Sequence, residues 1–138
     1  MHLVPKFHAF DGLAAAAVAV VYIVGNSMVP EPTRQRFNAI VIAGAGGAYL
    51  SGGLGWWEFA FAAVMTACAY RGLHSYRFIA AGWLLHVGWD VLHHLYGNPI
   101  VWCVPTSSAQ CAVCDSILAA WFLAGAPSAF RRGATAVG

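Results

Sequence analysis

The sequence predicts an all-α fold: a polytopic transmembrane helix bundle of about five spans, with the N-terminus outside and the C-terminus inside. Three observations predict it. Of the 138 residues, 60% are hydrophobic and only 9% charged, against about a quarter charged in a soluble domain, so lipid suits most of the surface better than water. Five apolar runs are divided by clear helix breakers. Counting those runs as crossings gathers the basic residues on one side. A single helical domain over residues 1–138 is the expected organisation. The net charge of +2 is small, and without a basic stripe it gives no case for a nucleic-acid partner.

The first run, 12–29, ends at Pro30 and Pro32. It also resembles the core of a signal peptide behind Lys6, but no small-x-small cleavage site follows and Asp11 sits at its mouth. The second run, 37–51, is stopped by Gly52, Gly53 and Gly55, and the third is 56–70. These two cannot be one helix, because their combined length at 1.5 Å per residue would be about 50 Å against a hydrocarbon core of about 30 Å. Gly44, Gly46 and Gly47 in the second run are expected to let helices pack closely. The fourth run, 78–96, stops at Gly97, Asn98 and Pro99, and the fifth, 112–126, at Pro127. Trp56, Trp57, Trp83, Trp89, Trp102 and Tyr96 fall mostly near expected interfaces, as an aromatic belt does.

With five crossings, Arg34, Arg36, Arg71, Arg77, Arg131 and Arg132 share one side and Lys6 lies opposite. The positive-inside rule makes the arginine side cytoplasmic. The expected location is therefore a bacterial inner (plasma) membrane, with the lipid bilayer as first partner and a homo-oligomer or a larger membrane complex as further assemblies.

The informative segment is LHVGWDVLHHLYG, residues 85–97. Around a helix, His86, Asp90, His93 and His94 lie at roughly 0°, 40°, −20° and 80°, one polar stripe, with Leu84, Val91 and Leu95 opposite. Ionisable groups inside a membrane helix are costly and face a bundle interior or a wet cavity. Glu58 and Asp115 are expected at the same outer level, and Asp11 and His8 precede the first span. Imidazole and carboxylate together suit first-row divalent metals such as zinc or iron. We therefore read His86, Asp90, His93 and His94 as metal ligands, with Glu58 or Asp115 completing the shell or acting as general acid and base. A proton relay or plain interhelical hydrogen bonding would use the same residues. The expected activity is a metal-dependent membrane enzyme, most simply a zinc-type hydrolase and next an iron oxidase or hydroxylase, acting on a lipid or apolar substrate from the outer side.

Three cysteines, Cys103, Cys111 and Cys114, fall in or beside the expected outer loop. An exterior location permits a disulfide, Cys103 with Cys111 or Cys114. A CxxC pair at a helix start also permits a thiol–disulfide oxidoreductase. Mixed Cys/His zinc binding is a third use. A non-enzymatic carrier or sensor of metal ions or protons is a further alternative for the chain. The connection 97–110 is long enough for a lid or a linker.

The pattern His-x-x-x-Asp-x-x-His-His resembles one box of the membrane-bound di-iron desaturases and hydroxylases, with Asp90 where those have a histidine and without their further boxes. It resembles more loosely the membrane metallohydrolases of the ceramidase and progestin-receptor type, which imply one zinc held by histidines with an aspartate. Over its whole length, through HVGWDVLHHLYGNP and CAVCDS, the chain resembles a family of small bacterial integral membrane proteins without an assigned activity.

Overall fold

In the computed structural model, which describes residues 4–50 and 53–130, the chain forms five α-helices, and no strand occurs among the described residues. They are α1 (Ala9–Ser27), α2 (Thr33–Gly46), α3 (Trp57–Gly72), α4 (Tyr76–Tyr96) and α5 (Ser107–Leu123). The five apolar runs thus each became a helix, with shifted ends. Helices α2 and α5 begin four and five residues earlier than their runs, through the polar turns TRQR and SSAQC. Hydropathy marks where a helix is greasy, not where its hydrogen-bond ladder starts. Residue 51, the expected end of the second run, lies outside the described residues. At the start of α1, the Asp11 carboxylate accepts the His8 backbone N–H at 2.9 Å, satisfying a donor close to the helix start. Helix α5 stops where Gly125 turns to φ +84° ahead of Pro127.

The helices run alternately up and down. At the first end, where α1 begins, Gln110 Nε2 donates to Asp11 Oδ1 at 2.9 Å, joining the starts of α1 and α5. At the second end, Gln35 Nε2 donates to the Gly72 carbonyl at 3.0 Å and Ser128 Oγ to the Ser27 carbonyl at 3.1 Å. Arg34, Arg36, Arg71 and Arg77 all lie in terminal turns at that second end; Arg131 and Arg132 lie outside the described residues. Helix α4 packs against α5, α3 and α2, while α1 lies against α5. The core beneath these contacts includes Ile42, Met65, Ile79, Leu118 and Phe122, all fully buried.

Small residues set the spacing. A Cβ built on Gly46 would fall 2.5 Å from Met65 Cβ, and one on Gly82 would fall 2.8 Å from Ile42 Cγ2. The close packing expected of the α2 glycines is therefore real at Gly46, where α3 crosses. Polar residues are turned inward as well. Tyr22 donates to Asn38 Oδ1, Asn38 Nδ2 to Asn26 Oδ1 at 2.8 Å, and Asn26 Nδ2 to the Tyr22 carbonyl at 3.0 Å, a closed set between α1 and α2. The outer surface is the reverse: Phe10, Leu13, Val21, Ile40, Trp57, Phe59 and Leu84 are all more than half exposed. Helix α1 is long and apolar enough to cross a membrane by itself; among the described residues no other helix meets that measure, α5 being shorter and apolar.

At the second end Glu31 accepts hydrogen bonds from Arg34 and Tyr76. Burial pushes the Glu31 carboxyl up, but the bonds from Tyr76 and Arg34 outweigh it and hold it below its ordinary range. Its contribution to stability is thus present above the unfolded value of about 4.3 and is lost as pH falls through the lower folded value. The group is 42% exposed, so the contribution is at most about 1 kcal/mol. Glu31→Gln should lower the unfolding temperature slightly at pH 7 and match the native chain at pH 3, as read by circular dichroism. Gly82→Ala should destabilise by about 1–3 kcal/mol through overpacking against Ile42. Gly88→Ala, where a Cβ meets nothing within 4 Å, should not; thermal unfolding of the two variants side by side checks both.

Candidate metal centre

The 3.6-residue period places His86, Asp90 and His93 on the inward face of α4, where they are 3%, 0% and 1% exposed. Leu84 and Val91, on the opposite face, are exposed. What the stripe meets on neighbouring helices divides it into two groups.

The first group centres on His86. Its Nδ1 lies 2.8 Å from Asp115 Oδ2 on α5 and 3.1 Å from Asp90 Oδ2 one turn along α4. Its Nε2 lies 3.0 Å from the Ala45 carbonyl oxygen in the last turn of α2. A carbonyl only accepts, so Nε2 must carry a hydrogen and donate it. Nδ1 then faces two carboxylates either as a lone pair or as the second N–H of an imidazolium. Asp90 is steadied from its other oxygen, because the Tyr49 hydroxyl donates to Oδ1 at 2.7 Å. One donor atom each from His86, Asp90 and Asp115 lie within 4.8 Å of one another, all buried. Right-angled ligands 2.0–2.2 Å from one ion are about 2.8–3.1 Å apart, the separations Nδ1 makes with both carboxylates, whereas tetrahedral ligands of zinc are about 3.3–3.6 Å apart, a few tenths of an ångström wider. The set could hold a divalent cation, and the bond from His86 Nε2–H to a backbone carbonyl is the kind of outer contact that orients a ligating imidazole.

The second group centres on His93. Its Nε2 lies 3.0 Å from Glu58 Oε1, without the alignment of a hydrogen bond, and its Nδ1 has no hydrogen-bond partner. Glu58 is fixed by two donors, the Leu54 backbone N–H to Oε1 and Trp89 Nε1 to Oε2, both at 3.0 Å. The Tyr49 ring stacks on His93 with centroids 3.7 Å apart. Two glycines make room for the imidazole: a Cβ on Gly97 would fall 2.5 Å from His93 Nδ1, and one on Gly53 would fall 2.8 Å from Cε1. Gly53 also sits at φ +141°, which glycine alone adopts readily. Tyr49 thus joins the two groups, its ring on His93 and its hydroxyl on Asp90.

The arrangement divides the residues singled out in the sequence between these two groups and the rest of the bundle. Asp115, expected to complete the shell or act as acid and base, meets Nδ1 of His86 across the α4–α5 contact. His93 stands apart from that set, with Glu58. His94, one residue and about 100° further round the helix, leaves the buried face and lines a lateral cavity of about 210 Å³ with Phe7, Val91 and Ala112. All four cysteines are free, Cys103 being exposed, so no disulfide pins the outer connection. Cys111 and Cys114 lie inside α5 rather than at its start, away from the unpaired backbone N–H groups that would stabilise a thiolate. The connection after α4 is anchored by the Ser107 hydroxyl, which accepts the Val101 N–H at 3.0 Å. Trp83 and Trp89 are not interfacial: Trp83 is core and Trp89 holds Glu58. Tyr49, Trp89 and the Ala45 carbonyl carry no sequence signature of the site. Tyr49 ends an apolar run beside glycines, and a carbonyl belongs to every residue.

Tyr49→Phe keeps the ring on His93 and removes the hydroxyl from Asp90. It should cost about 1–3 kcal/mol, the penalty for a buried acceptor losing its donor, measured by chemical or thermal unfolding.

Among known families, residues 10–128 match the model of a family of unknown function, DUF6010. No curated protein and no solved structure matches the chain.

Proposed function

The chain belongs to that family, which carries no activity to transfer, and we propose from its own geometry a membrane-embedded protein that holds one divalent cation, zinc or iron, between His86, Asp90 and Asp115. The observation that carries this reading is the Ala45 carbonyl on His86 Nε2. It commits that nitrogen to donation and aims the other at two carboxylates in a site closed to water, where uncompensated charge is costly. A cation satisfies all three acceptors at once.

The bilayer setting is supported by the reversed polarity of the bundle. Large apolar side chains cover its outside, while Asn38, Glu58, His86, Asp90, His93 and Asp115 are buried. At 1.5 Å per residue the helices are about 21–32 Å long, comparable with a hydrocarbon core of about 30 Å. The four arginines at the second end support a cytoplasmic side for it, by the positive-inside rule. Helix α1 is built into the bundle through Asp11, Tyr22 and Asn26, which favours a retained span over a cleaved signal.

The chemistry we assign is metal-dependent hydrolysis of a lipid or apolar substrate, with oxidation at iron as the next reading. A divalent ion would supply charge stabilisation and a more acidic water. Glu58 and His93, joined to the ligand set through Tyr49, form the acid–base pair the chain offers. A second reading, a site that carries protons alone, is favoured by one feature: the His86 separations are also ordinary hydrogen-bond lengths.

Elemental analysis of detergent-purified protein decides between them. Near one equivalent of zinc or iron is expected in the native chain and in His94→Ala, and less than a tenth in His86→Ala and Asp115→Asn. Loss of metal in His94→Ala with retention in Asp115→Asn would restore the ligand set expected from the sequence. A metal-free native chain after purification without chelators would leave the proton reading.

A further inference from the structure

The ligand set is walled off on most sides. Towards α2 and α3 stand the Tyr49–His93 stack and the Phe61–Trp89 stack, whose rings are 4.4 Å apart and nearly parallel. Towards the second end lie Trp83, Leu118 and Phe122 of the core. A different arrangement holds between α1 and α5, where a cavity of about 170 Å³ is lined by Ala15 and Val18 from α1 and by Ser107, Gln110, Cys111 and Cys114 from α5.

This cavity has an order of donor atoms along it. Gln110, which lines it towards the first end, donates to Asp11 Oδ1 at 2.9 Å and to Thr106 Oγ1 at 3.0 Å, so the Asp11 carboxylate lies one hydrogen bond beyond the cavity wall. Cys111 is the next residue of α5, and Cys114 follows three residues further on the same face; neither is bonded to another cysteine. Cys111 and Asp115 are again i, i+4 neighbours, so the thiol and the inner carboxylate share one side of α5. On the α1 side the buried Ala15 contributes only a methyl group to the wall.

We infer that this cavity is the route by which a cation reaches His86, Asp90 and Asp115, with the Cys111 and Cys114 sulfurs as passing ligands. The inference rests on the cation reading above. Its physical content is selectivity of passage: sulfur donors favour zinc, cadmium and other soft or borderline ions over magnesium, calcium or manganese. The carboxylates beyond the wall at the first end and at the inner end draw a cation inward, and the thiols between them serve as a step that costs less than an apolar wall. The CxxC pair, without a disulfide and without a helix N-terminus, finds its use in this way.

The test uses the full chain in detergent in a Cys68→Ser, Cys103→Ser background, stripped with a chelator. Zinc uptake is followed by stopped flow with a fluorescent zinc indicator, before and after reaction of Cys111 and Cys114 with methyl methanethiosulfonate. Alkylthiolation should slow uptake at least tenfold, with the native rate restored on reduction. In Cys111→Ala with Cys114→Ala, where the cavity is open but lacks sulfur, cadmium uptake should slow several-fold and manganese uptake should not change. Zinc uptake at one equivalent with an unchanged rate after modification would overturn the route alone, as would failure of either thiol to react. No uptake of any ion by the unmodified protein would overturn the route together with the cation site.

Discussion

A backbone carbonyl turned towards a histidine sets the terms for the rest of this molecule. Ala45 ends α2 with its oxygen 3.0 Å from His86 Nε2. That contact requires α2 to come close to α4, and so requires small residues where the helices meet. Gly82 of α4 against Ile42 of α2 is the place where a methyl group would not fit. Once Nε2 is committed to the carbonyl, Nδ1 is left to Asp90 and Asp115. The Asp115 contact in turn fixes how α5 lies along α4. A local valence requirement on one ring thereby reaches three helices.

The inward stripe of α4 serves two arrangements. The His86 group is closely bonded, with each Asp90 oxygen engaged, whereas His93 is held by shape: a tyrosine face on one side, two glycines around its edge and a carboxylate at an oblique 3.0 Å. His86 thus has both nitrogens set against acceptors, whereas His93 has neither nitrogen in an aligned hydrogen bond. The two centres differ in how they are held and not in residue type, since both are a histidine beside a carboxylate.

Much of this was legible in the sequence, and the parts that were not have physical causes. The number and type of elements followed from breakers between apolar runs. The inward set His86, Asp90 and His93 followed from helical period, which is a property of one segment and needs no knowledge of the others. Which carboxylate meets which imidazole depends on how α3 and α5 are rotated, and no single-segment pattern contains that. Glu58 and Asp115 were therefore identified as participants, whereas the pairing of Asp115 with His86 and of Glu58 with His93 was not legible. Trp89 was taken for an interfacial anchor because belts and hydrogen-bond donors use the same residue. The polar starts of α2 and α5 were hidden by the measure used to find them, as were Asn26 and Asn38, each a single amide inside an otherwise apolar run.

The inequality of the helices bears on how the site would meet its surroundings. Helix α2 has 14 residues and α3 has 16, whereas α4 has 21. Set in a bilayer, the short pair falls several ångströms short of the hydrocarbon thickness, and lipids beside it must compress or tilt to match. The deformation is largest on the flank of this short pair, which carries Tyr49 and Glu58. There the headgroup layer would dip towards the bundle, shortening the distance between aqueous phase and buried imidazoles without any opening in the protein itself. The local shape of the membrane then becomes part of the access to the site, and the thickness of the host bilayer becomes a variable that acts on it.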